Sequence, residues 1–239
     1  LRAMGKPFSM GRAHDVFVSW LPLYHDMGLI GAWLGSLYFG MELVLMSPFR
    51  FLVRPERWLW AIHDYKGTLS ASPNFGYELC RTRIKDQSLT GLDLSSWRVA
   101  ANGAEAVLAS TAAGFSKHFG PYGLNPGTMR PVYGLAENSV GLAFPQSERE
   151  PLVHRIDREV FSRTGEATEA PLDSADPLEF MVCGQPLPGH EIRVVDDAGR
   201  ELEECREGNI EFRGPSSTQG YYRNPQATKA LFHDDWLRT

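Results

Sequence analysis

At 239 residues the chain is long enough to bury a substantial core, in one large domain or two smaller ones. Its 43% hydrophobic and 22% charged residues are ordinary globular values, and a net charge of −5 argues against nucleic acid as the main partner, because phosphate backbones favour a basic face. Cys80, Cys183 and Cys205 are widely spaced and odd in number, without a Cys-x-x-Cys pair; this argues against structural zinc and fits a reduced, cytoplasmic compartment.

Asp15–Trp20 reads as a short strand, followed by an apolar helix over 24–39. The stretch from Met27 to Met46 carries a single charge, Glu42, and contains Gly31-x-x-x-Gly35, a spacing that packs membrane helices. Gly40 and Glu42 divide it into that helix and a strand over 43–46, the pattern of a buried helix–strand unit rather than a transmembrane segment. Pro55 opens a helix with Trp58, Leu59 and Ile62 as its apolar stripe. Thr68–Ser70 is a strand, Asn74 caps a helix running to about Lys85, Arg98–Ala101 is a strand and Glu105–His118 a helix. This rhythm predicts a parallel sheet with helices on its faces.

Residues 146–178 are polar and aperiodic, the mark of a surface excursion with one strand near Leu152–Ile156. Glu191–Val195 and Asn209–Arg213 alternate as strands, Asp196-Asp197-Ala198-Gly199 forms a turn, and Pro225–Phe232 is a short helix. The expected division is an α/β sheet part over 1–147 and a β-rich part over 148–239. The ends, Leu1 and Trp236-Leu237-Arg238-Thr239, carry no cap or closing turn and read as those of an internal piece of a longer protein.

Ligands of parallel α/β sheets bind at the carboxyl ends of the strands. Three polar, glycine-bearing segments fall there: 20–28, Asn102-Gly103-Ala104-Glu105, and Tyr133-Gly134-Leu135-Ala136-Glu137-Asn138. In the last, an aromatic face can stack on a purine, a glycine lets a ligand reach the backbone, and a carboxylate can hold a hard cation such as magnesium. Each residue also has a plainer role. Glu137 suits a helix start, Tyr133 a core, and Glu105 a cap on the helix after it. His25 suits a hydrogen-bonded junction, and Gly28, Gly31 and Gly35 suit either close helix packing or room for an acyl chain.

Taken together, these segments resemble the adenylate-forming ligases: acyl-CoA synthetases, fatty acyl-AMP ligases and nonribosomal peptide adenylation domains. Leu-Pro-Leu-Tyr-His-Asp-Met-Gly-Leu at 21–29 and Tyr-Gly-Leu-Ala-Glu-Asn-Ser at 133–139 look most like the fatty acyl-AMP ligase branch and related long-chain acyl-CoA synthetases. Gly208–Pro215 and Gly220-Tyr221-Tyr222-Arg223-Asn224-Pro225 resemble further family motifs. The resemblance implies a flavodoxin-like parallel-sheet subdomain leading into a β-rich, distorted-barrel subdomain. It implies a two-step reaction, in which a carboxylate attacks the α-phosphate of ATP to give an acyl-adenylate and pyrophosphate, and the acyl group then passes to a thiol of CoA or phosphopantetheine. Fatty acid and ATP are the implied substrates, Mg2+ the implied metal, and an acyl carrier protein a partner where phosphopantetheine is the acceptor.

Residue by residue, the resemblance makes Glu137 the magnesium-binding catalytic carboxylate. It assigns Asn102, Gly103, Ala104, Glu105, Tyr133, Gly134, Leu135 and Ala136 to the nucleotide. It sets His25 beside the acyl carboxylate as a positioning or gating group, with Met27, Gly28 and Gly31 along the acyl chain. No base is needed, since a carboxylic acid with a pKa of about 4 to 5 is already ionised at neutral pH. Ala136 stands where many members carry threonine, which reads as a mark of the branch. The family's phosphate loop would precede residue 1, and its ribose-binding aspartate and lysine-bearing domain would come after Thr239, so this piece alone is expected not to catalyse adenylation. Two alternatives stay open: an aryl- or amino-acid adenylation domain, with Asp26 to pair a substrate ammonium, and a non-catalytic nucleotide-binding scaffold. Gly184–Val195 is too compact for the long insertion that sets fatty acyl-AMP ligases apart, which leaves CoA open as acceptor.

Overall fold

The computed structural model describes residues 1–145 and 149–238. Helix α1 (Arg2–Phe8) precedes strand β1 (Val16–Ser19); a π-helix (Met27–Leu34) then runs directly into α2 (Gly35–Phe39) and β2 (Glu42–Leu45). Helices α3 (Pro48–Val53) and α4 (Glu56–Asp64) lead to β3 (Leu69–Ser72), α5 (Asn74–Arg83) to β4 (Val99–Asn102), and α6 (Ala109–Phe119) to β5 (Met129–Pro131). All four pairings among these strands are parallel, in the order β2-β1-β3-β4-β5. This is the flavodoxin-like doubly wound order, with its topological switch between β1 and β3.

Strands β1, β3 and β4 are buried at every position. A sheet covered on both faces has no solvent side, so even Ser70 and Ser72 of β3 are buried, their hydroxyls donating to the carbonyls of Val18 and Pro73. On one face α4 inserts Trp58, Leu59 and Ile62, all fully buried. Trp58 packs edge-on against Trp97 at 5.2 Å and tilted against Tyr77 at 5.5 Å, and its indole N–H donates to Ser70 Oγ at 2.9 Å.

The remaining strands are β6 (Ala143–Phe144), β7 (Val153–Ile156), β8 (Leu178–Met181), β9 (Gln185–Pro186), β10 (Glu191–Val195), β11 (Asn209–Arg213), β12 (Phe232–His233) and β13 (Trp236–Arg238). They form an antiparallel four-stranded sheet, β10-β11-β13-β12, and two antiparallel pairs, β6·β9 and β7·β8. Helices α7 (Arg158–Thr164) and α8 (Pro225–Leu231) lie among them.

Several expectations are corrected. The helix over 24–39 begins three residues late and is π-wound in its first half; apolar on every side from 27 to 35, its sequence specifies no particular winding. Asn74 lies inside α5 rather than capping it, and its Oδ1 accepts the Leu108 N–H at 3.1 Å instead. Helix α6 starts four residues after Glu105, because Leu108 is held extended (φ −87°, ψ 128°) with its N–H donated to Asn74 Oδ1. Glu105 therefore serves the preceding helix: its Oε1 accepts the N–H of Phe75, in the first turn of α5, at 2.6 Å. The excursion after 148 contains α7, which Asp157 caps by accepting the Val160 N–H at 2.9 Å and which ends on left-handed Gly165.

The division anticipated at 147/148 falls at residues outside the described ones. Around it the two hydrophobic clusters interleave. The sheet's cluster takes in Phe144 and Leu187, while Leu142 joins Phe212, Leu231 and Leu237 in the second. Among the described residues no helix is long and apolar enough to cross a membrane.

Candidate active site

A cavity of about 370 Å³ lies against the sheet face that presents Phe17, Leu69, Val99 and Ala101. Met4 and Phe8 of α1, Met27 and Gly31 of the π-helix, and Val132, Val140 and Phe144 complete an apolar lining. His25, Asp26, Ala104 and Tyr133–Ala136 line it from the carboxyl ends of β1, β4 and β5. Three separate strand ends thus converge on one opening.

The first of these segments is held by its own backbone. Asp26 Oδ1 accepts the Met27 N–H at 2.7 Å, starting the π-helix, and sits 2.9 Å from His25 Nδ1. The His25 side chain is 48% exposed, which leaves its ring accessible from the opening. Met27 and Gly31 line the cavity, but Gly28 does not. A Cβ on Gly28 would stand 2.3 Å from the Pro22 carbonyl oxygen, so this glycine serves the close approach of helix to turn. At Gly31 a Cβ would meet nothing nearer than Met27 Cγ at 4.0 Å.

In the second segment only Ala104 lines the cavity. Asn102 is fully buried, its Nδ2 donating to Asn74 Oδ1 at 3.4 Å. Gly103 allows β4 to close on Val132, where a Cβ would lie 2.8 Å from the carbonyl oxygen. Glu105 is turned to α5. These three shape the rim without lining the cavity.

The third segment is a tight loop. Tyr133 bridges Ala143, its N–H donating to the Ala143 carbonyl at 2.9 Å. A Cβ on Gly134 would fall 1.8 Å from the Val140 carbonyl oxygen, so the loop itself demands glycine there. A 3-10 turn over Ala136–Asn138 then ends on Ser139 at φ 68°. Ala104, which lines the cavity, is likewise a non-glycine residue with a positive φ of 69°.

Glu137 is half-buried. Its Oε1 accepts the Tyr221 phenol at 2.6 Å and its carbonyl accepts the Thr218 N–H at 2.7 Å. The carboxylate raises the Tyr221 pKa above the ordinary phenol value, because it accepts and favours the neutral phenol's proton. Asn138 is buried; its Nδ2 donates to the Gly141 carbonyl at 2.7 Å, and its Oδ1 accepts the hydroxyls of Ser216 and Ser217, each at 3.2 Å. Tyr221 and the 216–218 segment are neighbours of Glu137 and Asn138 that sequence reasoning missed. Tyr221 lies in a recognisable motif, but its partner Glu137 is 84 positions away.

Among the described residues no three His, Cys, Asp or Glu side chains converge as a metal cage. Glu137 fits magnesium differently. That ion is held by one or two carboxylates, with waters and substrate phosphates as its other ligands, and Glu137 keeps Oε2 without a protein partner among the described residues.

The model of the AMP-binding enzyme family matches residues 2–222. The chain belongs to that family. The chain is 37% identical over 221 residues to the medium-chain-fatty-acid–acyl-carrier-protein ligase TtuA of Teredinibacter turnerae, covering 91% of this chain and 34% of the relative. It is 37% identical over 235 residues to the long-chain-fatty-acid–AMP ligase FadD26 of Mycobacterium bovis, covering 93% and 40%. Among solved structures, the fatty acyl-adenylate ligase of L. pneumophila in complex with acyl adenylate and pyrophosphate matches with a TM-score of 0.94 at 33% identity, over 100% of this chain and 43% of that one. The chain thus spans 34–43% of the length of these relatives. Its parallel-sheet fold is that of the adenylate-forming enzymes.

Proposed function

We propose that this chain is the substrate-holding portion of a cytoplasmic ligase. The enzyme activates a fatty acid with ATP to an acyl-adenylate and transfers the acyl group to a thiol, on CoA or on the phosphopantetheine of an acyl carrier protein. The sheet part, 1–147, and the β-rich part, 148–239, act as portions of one AMP-binding domain. The observation that carries this reading is the apolar cavity whose opening is lined by His25 and Asp26 together with Tyr133–Ala136.

The alkyl chain lies in the cavity against Met27 and Gly31, with its carboxylate towards His25. The adenine packs between the Tyr133 ring and Ala104, over the loop that Gly134 closes. Glu137 would hold Mg2+, which neutralises phosphate charge that otherwise repels the incoming carboxylate. The chain's own residues bind and orient. They hold two like-charged reactants in one crevice and surround the alkyl chain with apolar surface. A fatty acid is favoured over an amino acid because Asp26, the only acidic side chain lining the cavity among the described residues, is already committed to the Met27 N–H and His25. Relatives named for fatty acids support the same choice.

The test is ATP–pyrophosphate exchange by the protein as its gene encodes it, with fatty, aryl and amino acids compared at equal concentration. Exchange is expected with medium and long fatty acids only. Exchange driven by an amino or aryl acid, with none from fatty acids, overturns the reading. Adding CoA or a phosphopantetheinylated carrier protein in separate reactions then identifies the acceptor by the thioester formed.

A further inference from the structure

Glu137 carries the metal-binding role in the proposed function, and the role of its neighbour Tyr221 rests on that reading. A half-buried carboxylate on a short surface turn is free to rotate about its last bonds, and a rotating ligand binds a cation weakly. In this chain the rotation is stopped from outside the turn. The Tyr221 phenol donates to Glu137 Oε1 at 2.6 Å, and the backbone beneath is pinned by the Thr218 N–H on the Glu137 carbonyl at 2.7 Å. On the next residues, Ser139 Oγ donates to the Ser216 carbonyl at 3.0 Å, and Asn138 Oδ1 accepts from Ser216 and Ser217. The 216–221 segment therefore clasps the turn at successive positions, and only Tyr221 reaches the carboxylate. Oε2 is left without a protein partner among the described residues.

We propose that Tyr221 is a positioning residue for the metal ligand: its phenol fixes Oε1 so that Oε2 is presented to the magnesium of bound nucleotide. Such outer hydrogen bonds orient ligating carboxylates, and their loss costs about 10- to 100-fold in metal affinity or activity. Tyr222, next in sequence, provides an internal control. It is 85% exposed, its ring lies 5.1 Å from the Arg223 guanidinium, and its hydroxyl makes no hydrogen bond to a carboxylate among the described residues.

The experiment uses the protein as its gene encodes it and measures Mn2+ binding in the presence of ATP by electron paramagnetic resonance, together with the Mg2+ dependence of pyrophosphate exchange. Tyr221→Phe is expected to weaken Mn2+ binding about 10-fold and to raise the half-saturating Mg2+ concentration in proportion, with the KM for fatty acid unchanged. Tyr222→Phe is expected to behave as wild type. Tyr221→Phe added to Glu137→Gln is expected to change Mn2+ binding no further than Glu137→Gln alone, since the phenol acts only through that carboxylate. Wild-type Mn2+ binding by Tyr221→Phe, with Glu137→Gln impaired, overturns the positioning role and spares the role of Glu137. Wild-type binding by Glu137→Gln overturns both.

Discussion

Arg98 grips Asp15 through two nitrogens, at 2.7, 2.9 and 3.2 Å, and the same guanidinium donates to the carbonyls of Phe8 and Ser9. The pair thereby ties the start of β4 to the entry of β1 and to the end of α1, whose Met4 and Phe8 line the cavity. Asp15 also accepts the N–H groups of Gly11 and Arg12 and the Thr68 hydroxyl. Burial pushes the Asp15 carboxyl up, but Arg98, the Arg12 N–H and Thr68 outweigh it and hold it below the usual carboxylate range.

Breaking a buried pair leaves an uncompensated charge, so Asp15→Asn is expected to destabilise the fold by about 3 kcal/mol. The Arg98 side chain is only 18% exposed and has little water to turn to. Urea unfolding of wild type and variant at neutral pH checks the magnitude. An effect below about 0.5 kcal/mol, the level of an exposed pair, refutes it.

Glu211 offers the matching case in the β-rich half. Fully buried on β11, it accepts from Arg193 at 2.7 Å, from Arg238 at 2.9 Å and stands 2.9 Å from His233 Nδ1. Trp236 is flanked by the Arg193 and Arg213 guanidinium groups, at 4.2 and 4.5 Å. Burial pushes the Glu211 carboxyl up, yet the two arginines and His233 bring it below its ordinary value. For Asp15 and Glu211 alike the unfolded chain binds the proton more readily. Their contribution is therefore complete above the unfolded carboxylate pKa of about 4 and is lost as pH falls through the lowered folded values. Glu211→Gln is expected to lower stability at neutral pH and to flatten the acid limb of a plot of urea midpoint against pH. An acid limb as steep as that of wild type counts against the assignment.

The two glycines of the π-helix are expected to respond in opposite ways. Gly28→Ala drives a methyl into the Pro22 carbonyl and is expected to cost roughly 1 to 3 kcal/mol. Gly31→Leu enters open cavity, so the protein is expected to stay folded and to shift its preference towards shorter fatty acids, with the KM for ATP unchanged. Thermal melts and pyrophosphate exchange across a chain-length series check both. A Gly31→Leu enzyme with the wild-type length profile removes the cavity from the acyl path.

Much of the fold was legible because its elements are local. The Trp58, Leu59 and Ile62 stripe, the strand at Glu191–Val195 and the strand at Asn209–Arg213 lie where periodicity puts them. Helix α7 carried a readable signature, Asp157 before it and Gly165 after it, but its polar surroundings gave no hydrophobic period. Other features depend on distant partners. Glu105 reads as a cap for the helix C-terminal to it, and only the folded chain brings Phe75 close enough to claim it. The rim segments were recognisable, yet residue types alone could not separate Gly31, which borders open space, from Gly28, which is pressed against backbone. Tyr221 lies inside a recognisable motif, but its hydrogen bond to Glu137, 84 positions away, exists only in the folded chain.

The interleaving at Leu142 and Phe144 bears on how such proteins diversify. Two residues on either side of Ala143 feed different cores, and Leu187 reaches back into the first. A chimaera with its crossover just after Phe144 would bring mismatched partners into both halves at once, even between relatives of equal size. Natural recombination, or a designer exchanging specificities, would do better to move the whole span as a block and to vary only the side chains that border the opening.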